Sequence, residues 1–296
     1  MFHLSIGRRL AVAALLTLTW QPLYADNTVA GVCAAVGKKL SSVSEKECLA
    51  LGFAQPRFFS VNGRAMLEKR FLAAESDAPR VLFIGGIHGD EYSSVSVTFK
   101  WLNTISAHHS GRYDWLFFPL VNPDGLLRKK STRVNAHNVD LNRNFEPAKG
   151  FPNALKHWKT RAKKRARYYP GETPLSEPET QMLFQLIEEY HPDVIVSVHA
   201  PHGILDFDGA SVKPPRRLGP LYLRQLGTYP GSLGNYAWFT KKIPVMTIEL
   251  PYAGIMPKPK DIDRMWNDLV RWVDRKVKPS AETLAARSKQ KNTELE

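Results

Sequence analysis

The sequence predicts a single α/β domain built around an open sheet. Four short runs of apolar and β-branched residues have the length and composition of buried strands, at 81–84, 115–121, 194–198 and 245–248. The chain has 296 residues, of which 43% are hydrophobic, so it is long enough for one sizeable core. Open α/β sheets bind ligands at the carboxyl ends of their strands. We therefore expect the functional residues at that edge.

Each predicted strand ends where a polar side chain or a turn follows. The first run is released by a glycine pair just before His88, and the second is stopped by the Asn-Pro-Asp-Gly turn at 122–125. The third run ends at His199 and the fourth at Glu249. Three strands thus deliver a histidine or a glutamate to the same edge of the sheet.

Two helices are predicted later in the chain. Ser-Glu-Pro-Glu at 176–179 is a capping-box pattern that opens a helix running to about Tyr190, with Pro178 tolerated in the first turn. A second helix carries an apolar stripe, which indicates burial in the core and no functional role. The members of the stripe are Ile262, Met265, Trp266, Leu269, Val270 and Val273.

Four short motifs carry the candidate chemistry. They are His-Gly-Asp-Glu at 88–91, Val-Asp-Leu-Asn-Arg-Asn-Phe at 139–145, Ser-Val-His-Ala at 197–200 and Ile-Glu-Leu at 248–250. His88, Glu91 and His199 supply two imidazoles and one carboxylate. That ligand set is typical of catalytic zinc, which keeps its fourth position open to water. The motifs together predict hydrolysis of an amide.

Each motif taken alone has a simpler interpretation. A histidine and a glutamate three residues apart are more often a solvated pair, and a histidine at a strand end is more often a satisfied core residue. Glu249 is harder to explain in this way, because a buried glutamate nearly always has a partner or a task. The zinc interpretation is favoured because all the simpler ones would have to hold at once.

The combined pattern resembles the zinc carboxypeptidases of the carboxypeptidase A superfamily, and within it the murein peptide amidases. Four further stretches share the likeness: Ser-Ser-Val at 93–95, Val-Asn-Pro-Asp-Gly at 121–125, Ser-Glu-Pro-Glu-Thr-Gln at 176–181 and Pro-Gly-Ser-Leu-Gly at 230–234. The resemblance covers roughly residues 60–275. It implies a central mixed, mostly parallel twisted sheet flanked by helices, within a catalytic domain at 61–278.

The resemblance also implies one Zn²⁺ per chain, with His88, Glu91 and His199 as its ligands. It implies that Glu249 is the general base, which takes a proton from water and returns it to the leaving amine. Zinc provides a nucleophile at neutral pH because it lowers the pKa of bound water to about 7. Asp140 matches the carboxylate that orients the first zinc histidine, since metal-bound histidines usually donate their other nitrogen to such a group.

Further roles implied by the resemblance concern the substrate. Arg133 matches the arginine that stabilises the developing oxyanion, and Asn142 with Arg143 matches the pair that binds the free carboxylate beside the scissile bond. A guanidinium group fits a carboxylate bidentately. In so basic a chain, either arginine alone could equally be a surface charge. Leu233 falls where family members shape the side-chain pocket, and Tyr229 is a candidate to cap the substrate.

The substrate that the resemblance implies is the γ-D-glutamyl–meso-diaminopimelate bond of murein (peptidoglycan) tripeptides. Familiar members recycle wall fragments in the cytoplasm, whereas an export signal here shifts the expected substrate toward tripeptide stems on the wall, cut in carboxypeptidase mode. The distal end of diaminopimelate is zwitterionic, so Asp206 and Asp208 are candidates to bind its ammonium group. The alternative for Asp208 is a simple turn with the following glycine.

Two rival functions stay open at this point. One keeps zinc hydrolysis but changes the substrate to other peptides or N-acyl amino acids, as in the desuccinylase and aspartoacylase branch. The other is a non-catalytic wall-binding protein. A degraded ligand or a missing Glu249 would have favoured the second rival, and neither is seen.

The first 25 residues predict a secretory signal peptide. Arg8 and Arg9 precede an apolar run at 10–20, and Leu-Tyr-Ala at 23–25 is the expected cleavage site. The run is too short to span a bilayer, so no transmembrane anchor is expected after cleavage. The adjacent arginines permit twin-arginine export, but an ordinary secretory signal is favoured. The expected location is the periplasm.

The two ends of the mature chain carry their own predictions. Cys33 and Cys48 are the only cysteines and have no zinc-type partners nearby, which predicts one disulfide, with two free thiols as the alternative. Residues 26–60 would then form a small stapled extension that braces the catalytic domain. Residues 279–296 are polar and lack periodic apolar residues, which predicts a disordered tail.

The charge of the chain is strongly positive, with a formal net charge of +13. Between Lys156 and Arg167 there are seven Lys or Arg and no acid. Such a run is usually a solvated loop, and the functional alternative is attraction to an anionic envelope polymer. Nucleic acid is not an expected partner, because an exported chain without a binding motif has little use for it.

Overall fold

The computed structural model describes residues 27–293, so the predicted signal peptide at 1–25 lies outside the described residues. Eight strands are present in this range: β1 Lys69–Phe71, β2 Arg80–Gly85, β3 Asp114–Phe118, β4 Val194–His199, β5 Ile204–Asp208, β6 Arg217–Leu218, β7 Leu221–Tyr222 and β8 Val245–Glu249. The described α-helices are α1 Val29–Lys39, α2 Glu45–Ala50, α3 Tyr92–His108, α4 Pro123–Leu127, α5 Pro152–Thr160, α6 Pro178–Tyr190, α7 Leu233–Phe239, α8 Pro259–Lys276 and α9 Ala281–Thr293.

Six of the strands form one mixed sheet in the order β1-β3-β2-β4-β8-β5. The four central strands are the four predicted runs, and they pair in parallel. The edge strands β1 and β5 are antiparallel to their neighbours. The expected mixed, mostly parallel sheet is therefore confirmed. Since the central strands share one direction, their carboxyl ends meet along a single edge.

Helices cover both faces of the sheet. Alternate residues of a strand point to opposite faces. Val81 and Phe83 of β2 accordingly join one apolar cluster, with side chains from α1, α3 and α8, while Leu82 and Ile84 join the other, with side chains from α6 and α7. Both faces are buried, which explains why the central strands are almost continuously apolar. The stripe predicted as core at 262–273 lies in α8, as expected.

The helix predicted at 176–190 is present as α6, but the capping box is wrong. Glu177 is the N-cap residue, and its side chain makes no capping hydrogen bond. It instead accepts a hydrogen bond from Asn135 Nδ2 at 2.7 Å, and Glu179 accepts another from the same nitrogen at 3.0 Å. Both carboxylates are buried. The carboxylates of Glu177 and Glu179 bond to Asn135, which is distant in the sequence, so no capping box forms.

The N-terminal extension consists of α1 and α2, joined by the predicted disulfide between Cys33 and Cys48. Both cysteines are fully buried. Val32 and Val36 on α1 belong to the same apolar cluster as α3 and α8. The extension is thus packed on the catalytic domain, and the disulfide closes it.

The far end of the chain differs from the expected disordered tail. Residues 281–293 form α9. Arg287 is its buried anchor: its guanidinium donates to Asp193 Oδ2 at 2.7 Å and to the carbonyl oxygen of His191 at 2.7 Å. The sequence lacks an apolar stripe here because a buried ion pair holds the helix. None of the described helices has the length and apolar character needed to cross a membrane.

Candidate active site

The carboxyl edge of the sheet brings the predicted residues together. His199 ends β4 and Glu249 ends β8, and these two residues are paired in the register of the parallel strands. His88 follows β2 after a turn that needs Gly86, whose φ is 61° and whose added Cβ would lie 2.6 Å from Val95 Cγ2. The chain then runs directly into α3, and Glu91 is the N-cap residue of that helix.

The three predicted ligands form one compact buried cluster. Their candidate donor atoms all lie within 4.8 Å of one another. His88 Nδ1 is 2.8 Å from Glu91 Oε1, and His199 Nδ1 is 3.2 Å from Glu91 Oε2. The two Nδ1 atoms are 3.2 Å apart. Two imidazoles and a carboxylate converge on one point, which is the donor set of a catalytic zinc centre.

The outer nitrogen of each histidine has its own partner. His88 Nε2 lies 3.1 Å from Asp140 Oδ1, and His199 Nε2 lies 2.9 Å from Ser197 Oγ. Such partners fix the ring so that Nδ1 faces the cluster. The structure therefore brings Asp140 to the position that sequence reasoning expected. Ser197 was missed, and its signal is the period of two along β4, which places it on the same face as His199.

Charges balance one another within this cluster. Burial raises the pKa of Asp140, but Arg133 and His88 outweigh burial and hold that pKa well below its usual range. Burial likewise raises the pKa of Glu91, and the two histidines bring it well below the ordinary value. Burial lowers the pKa of His88 and Arg133 lowers it further, yet the carboxylates of Glu91 and Asp140 leave it raised. Both carboxylates are therefore anionic, which suits a cation.

Arg133 lies directly beside the cluster. Its Nε donates to Asp140 Oδ2 at 2.9 Å, and its Nη1 is 3.6 Å from Glu91 Oε1. The guanidinium group lies 5.3 Å from the ring centre of Tyr168. Burial lowers the pKa of Arg133, but Asp140 and Glu91 raise it overall. Arg133 is thus a fixed positive charge at the edge of the ligand cluster.

Asn142 and Arg143 follow Asp140 in a short 3₁₀ turn. Asn142 Oδ1 accepts a hydrogen bond from the backbone N–H of Leu233 at 2.9 Å, which ties the turn to α7. Arg143 Nη1 donates to the carbonyl oxygen of Asn142 at 2.5 Å, and its guanidinium lies 4.5 Å from the ring centre of Tyr229. Among the described residues, no carboxylate forms an ion pair with Arg143. Burial lowers the pKa of Arg143, as expected for a guanidinium group that is removed from water and not paired with a carboxylate.

Glu249 is the most unusual group of the site. It is only 8% exposed, and its buried Oε2 has no hydrogen-bond partner among the described residues. An unpaired buried carboxylate oxygen costs free energy, so its retention calls for a functional explanation. Glu249 lies beside His199 in the sheet register. A donor set of two histidines and a glutamate, with a spare carboxylate adjacent to it, fits zinc and a general base.

Apart from Asp140, the site residues described above line one cleft of about 770 Å³. The four predicted specificity residues line it too: Tyr229, Leu233, Asp206 and Asp208. Leu233 is buried at the start of α7, whereas Tyr229 is 44% exposed and packs its ring 5.5 Å from that of His157.

The carboxylates of Asp206 and Asp208 have different environments. Asp206 Oδ1 accepts backbone N–H bonds from Phe207 at 2.9 Å and from Leu226 at 3.0 Å, so this carboxylate has a structural task. The carboxylate of Asp208 has no hydrogen-bond partner among the described residues. Burial, with a smaller contribution from Asp206, raises the pKa of Asp208 to about 7. Asp208 is therefore the better candidate to bind an ammonium group.

Sequence reasoning left several cleft residues unassigned. Asp90 and His202 line the cleft, as do three arginines of the basic run. Asp90 lies within the first motif and His202 follows the third, so their proximity to the ligands was the available signal. The arginines had none, because only the fold shows that the basic run borders the cleft.

Comparison with known proteins identifies a family and several relatives that this chain resembles. A family model described as zinc carboxypeptidase matches residues 58–208. Murein peptide amidase A of Escherichia coli K12 is 40% identical over 123 residues, which are 40% of this chain and 48% of that protein. The match therefore spans about half the length of this relative. The Vibrio campbellii protein of the same name is 30% identical over 189 residues, which are 61% of this chain and 73% of that one.

Solved structures agree with this placement. The murein-tripeptide amidase of Escherichia coli O157 superposes with a TM-score of 0.51 at 29% identity, covering 73% of this chain and 91% of that one. Bovine thrombin-activatable fibrinolysis inhibitor superposes with a TM-score of 0.54 at 17% identity, covering 80% and 90%. At that identity the second likeness concerns the fold alone.

Proposed function

The chain belongs to the zinc carboxypeptidase family, and on that premise we propose that it is an exported, zinc-dependent carboxypeptidase of murein tripeptides. The bond cut is the one between γ-D-glutamate and meso-diaminopimelate. Relatives named murein peptide amidase A support this choice of substrate. The observation that carries the proposal is that Arg143 shares a cleft with the ligand cluster and Glu249. In the part of the chain that the structure describes, Arg143 forms no ion pair and Glu249 Oε2 has no hydrogen-bond partner.

His88, Glu91 and His199 would hold the zinc. When bound, zinc lowers the pKa of a coordinated water and polarises a carbonyl group. Asp140 and Ser197 hold the two histidine rings with Nδ1 directed at the metal position. Glu91 is kept anionic by the two histidines, which suits a cation. His88, whose pKa the neighbouring carboxylates raise, would bind the metal as the neutral imidazole and give up any proton on its Nδ1.

Glu249 takes a proton from the attacking water and returns it to the leaving amine. Its Oε2 is free to accept that proton because no described group donates a hydrogen bond to it. Its pairing with His199 in the strand register, and the grouping of three other donors without it, support this role. A carboxylate beside the metal ligands is a usual means of general acid–base catalysis.

The two arginines act at different atoms of the substrate. Arg143 binds the free carboxylate next to the scissile bond, and Asn142 fixes the turn that presents it. Arg133 stabilises the negative charge that develops on the carbonyl oxygen, since its Nη1 lies beside the ligand Glu91. A substrate whose corresponding carboxylate is locked in an amide has nothing to offer Arg143.

The distal end of diaminopimelate requires a separate contact. Its ammonium group would pair with Asp208, whose pKa of about 7 falls when a cation is placed beside it. Leu233 and Tyr229 border the same cleft and would contact the aliphatic part of the side chain. Asp206 supports this pocket through its backbone hydrogen bonds.

Export to the periplasm is the cellular part of the proposal. The signal-like pattern at 1–25 supports it, and so does the disulfide between Cys33 and Cys48, because disulfides persist in oxidising compartments. The expected partners are stem peptides of the wall, with the basic surface available to anionic envelope polymers.

Mass spectrometry of defined stem peptides tests the proposed function. Zinc-loaded protein should convert a tripeptide stem ending in meso-diaminopimelate into a dipeptide stem and free diaminopimelate. Tetrapeptide and pentapeptide stems should resist, because the same carboxylate of diaminopimelate forms a peptide bond to the next residue. Equal cleavage of tripeptide and pentapeptide stems would indicate an endopeptidase. Cleavage of N-acyl amino acids without cleavage of stems would favour the desuccinylase-like rival.

A further inference from the structure

The basic run at 156–167 borders the catalytic cleft. Arg161, Arg165 and Arg167 line the cleft that holds the ligand cluster, and we call these three residues the arginine rim. The lysines of the same run at 156, 159, 163 and 164 do not line it. All three rim arginines are exposed to solvent. The run is therefore divided into a part that faces the substrate and a part that faces only solvent.

The loop that carries the rim is fixed by specific contacts. Trp158 Nε1 donates to the carbonyl oxygen of Arg165 at 3.0 Å, and the Trp158 ring lies 4.9 Å from that of Tyr169. The guanidinium groups of Arg165 and Arg167 lie 5.1 Å and 5.4 Å from the ring centre of Tyr168. Rings that hold arginines in this way reduce the entropy lost when an anion binds.

The rim has little internal neutralisation. Across the described residues, the only ion pair formed by the whole basic run is that of Arg167 with Asp90 Oδ2, at 3.6 Å. Asp90 directly precedes the ligand Glu91 in the chain. Arg133 approaches the same Tyr168 ring, at 5.3 Å, from the side of the ligands. Through Arg165 and Arg167, which share the Tyr168 ring with Arg133, the rim thus adjoins the arginine assigned to the developing oxyanion.

From these contacts we propose that the arginine rim is a second anion subsite, which binds a free carboxylate on the acyl side of the scissile bond. The inference builds on the proposed function, because a γ-linked glutamyl residue uses its side-chain carboxyl in the amide and leaves its α-carboxylate free. That carboxylate is joined to the scissile carbonyl by a short flexible stem. Arg143 binds the carboxylate on the amine side, and the rim binds the one on the acyl side.

The proposal makes a γ-glutamyl linkage a recognised feature of the substrate. An ordinary α-linked peptide presents no carboxylate at this place unless its side chain is acidic. The same reasoning predicts discrimination against wall peptides in which the α-carboxyl group of this residue is amidated. Such a peptide has the same shape and lacks one charge.

A matched pair of peptides tests the subsite. One is L-Ala-γ-D-Glu-meso-diaminopimelate, and the other carries D-isoglutamine, the α-carboxamide, in place of D-Glu. The zinc-loaded enzyme should cleave the acid with a kcat/KM about tenfold above that of the amide, as expected for several exposed charge contacts. The triple variant R161Q/R165Q/R167Q should lose that preference, so that its kcat/KM values for the acid and the amide become equal.

A second triple variant, K159Q/K163Q/K164Q, is the matched control. It removes the same charge from the same run, but none of the three substituted lysines lines the cleft. It should keep the preference for the acid. A wild-type enzyme indifferent to the amidation, or an arginine variant that keeps the preference, would overturn the subsite. Equal loss of preference in both triple variants would also overturn it, since that indicates general attraction to anions.

Binding measurements separate this proposal from the proposed function. If neither peptide is cleaved, the assigned reaction is wrong, and calorimetric titration of both intact peptides into Glu249→Gln decides the subsite. The acid should bind about tenfold more tightly than the amide, and R161Q/R165Q/R167Q in the same background should remove the difference. Equal dissociation constants in Glu249→Gln would overturn the subsite independently of catalysis.

Discussion

At the scale of single residues, Asp140 connects the parts of the site. Its Oδ1 contacts His88 Nε2 at 3.1 Å and accepts the backbone N–H of Asn142 at 3.1 Å, and its Oδ2 accepts from Arg133 at 2.9 Å. One buried carboxylate thereby orients a proposed metal ligand, the arginine next to it, and the turn that carries Arg143. Its low pKa keeps it in the acceptor-only form that all three contacts require.

Glu249 and Glu91 are both buried glutamates of the same cleft, and a pair of near-isosteric substitutions distinguishes their roles. Glu249→Gln should retain zinc and the fold while lowering kcat by orders of magnitude, because the base is lost and the ligands are intact. Glu91→Gln should instead weaken zinc binding. Elemental analysis and steady-state kinetics on the two variants measure both effects. Loss of zinc in Glu249→Gln, with activity retained in Glu91→Gln, would show that the assignments are exchanged.

At the scale of elements, hydrogen bonds join the loop at 135–144 to the start of α6. Asn135 Oδ1 accepts backbone N–H groups of His137 and Val139, each at 3.1 Å, while its Nδ2 donates to Glu177 and Glu179. Glu179 is fully buried and also accepts the N–H of Val61 at 3.2 Å. A buried polar network therefore fixes the active-site loop to the start of α6 and, through Glu179, to Val61.

Glu179 should make stability depend on pH. Burial, supported by Asp124, raises its pKa from 4.5 to about 7. The folded protein therefore keeps a proton that the unfolded chain releases, so stability falls as pH rises from the unfolded pKa through the folded one. Over that interval the decrease is roughly 3 kcal/mol. Denaturant titrations of wild type and Glu179→Gln at pH 5 and pH 8 should show a difference between the two proteins that changes by about this amount.

Glu172→Gln is the control for this measurement, because Glu172 is exposed in the loop before α6. Its stability curve should run parallel to that of the wild type. Parallel curves for Glu179→Gln as well would mean that this carboxyl group does not titrate in the expected range.

The elements also show how far the sequence can be interpreted. The four central strands and the residues at their ends were predictable, because a run of apolar residues followed by a lone polar one is a local pattern. The start of α6 and the helix α9 were not, since Glu177, Glu179 and Arg287 are satisfied by partners far away in the chain. Ser197 and the arginine rim belong to the same class: their roles depend on three-dimensional proximity.

At the scale of the whole molecule, the cleft arranges charge in a definite pattern. Arg143 and Arg133 flank the ligand cluster, Asp208 supplies an acid, and the arginine rim borders the opening. The family model ends at residue 208, so Glu249 lies beyond it, and it is the pairing of β8 with β4 that completes the site. The proposed metal ligands thus lie between residues 88 and 199, and the proposed base follows at residue 249.

The central claim is that Arg143 binds a free carboxylate next to the bond that the enzyme cuts. A comparison of two substrates tests this claim most directly. The substrates are the murein tripeptide and the same peptide with the diaminopimelate carboxylate next to the scissile bond converted to a carboxamide. The kcat/KM of each is measured for wild type and Arg143→Gln. The wild type should prefer the free acid by roughly a hundredfold, since a charged contact at a partly desolvated site is involved. Arg143→Gln should lose that preference. Equal kcat/KM values for the two peptides in the wild type would contradict the carboxypeptidase assignment.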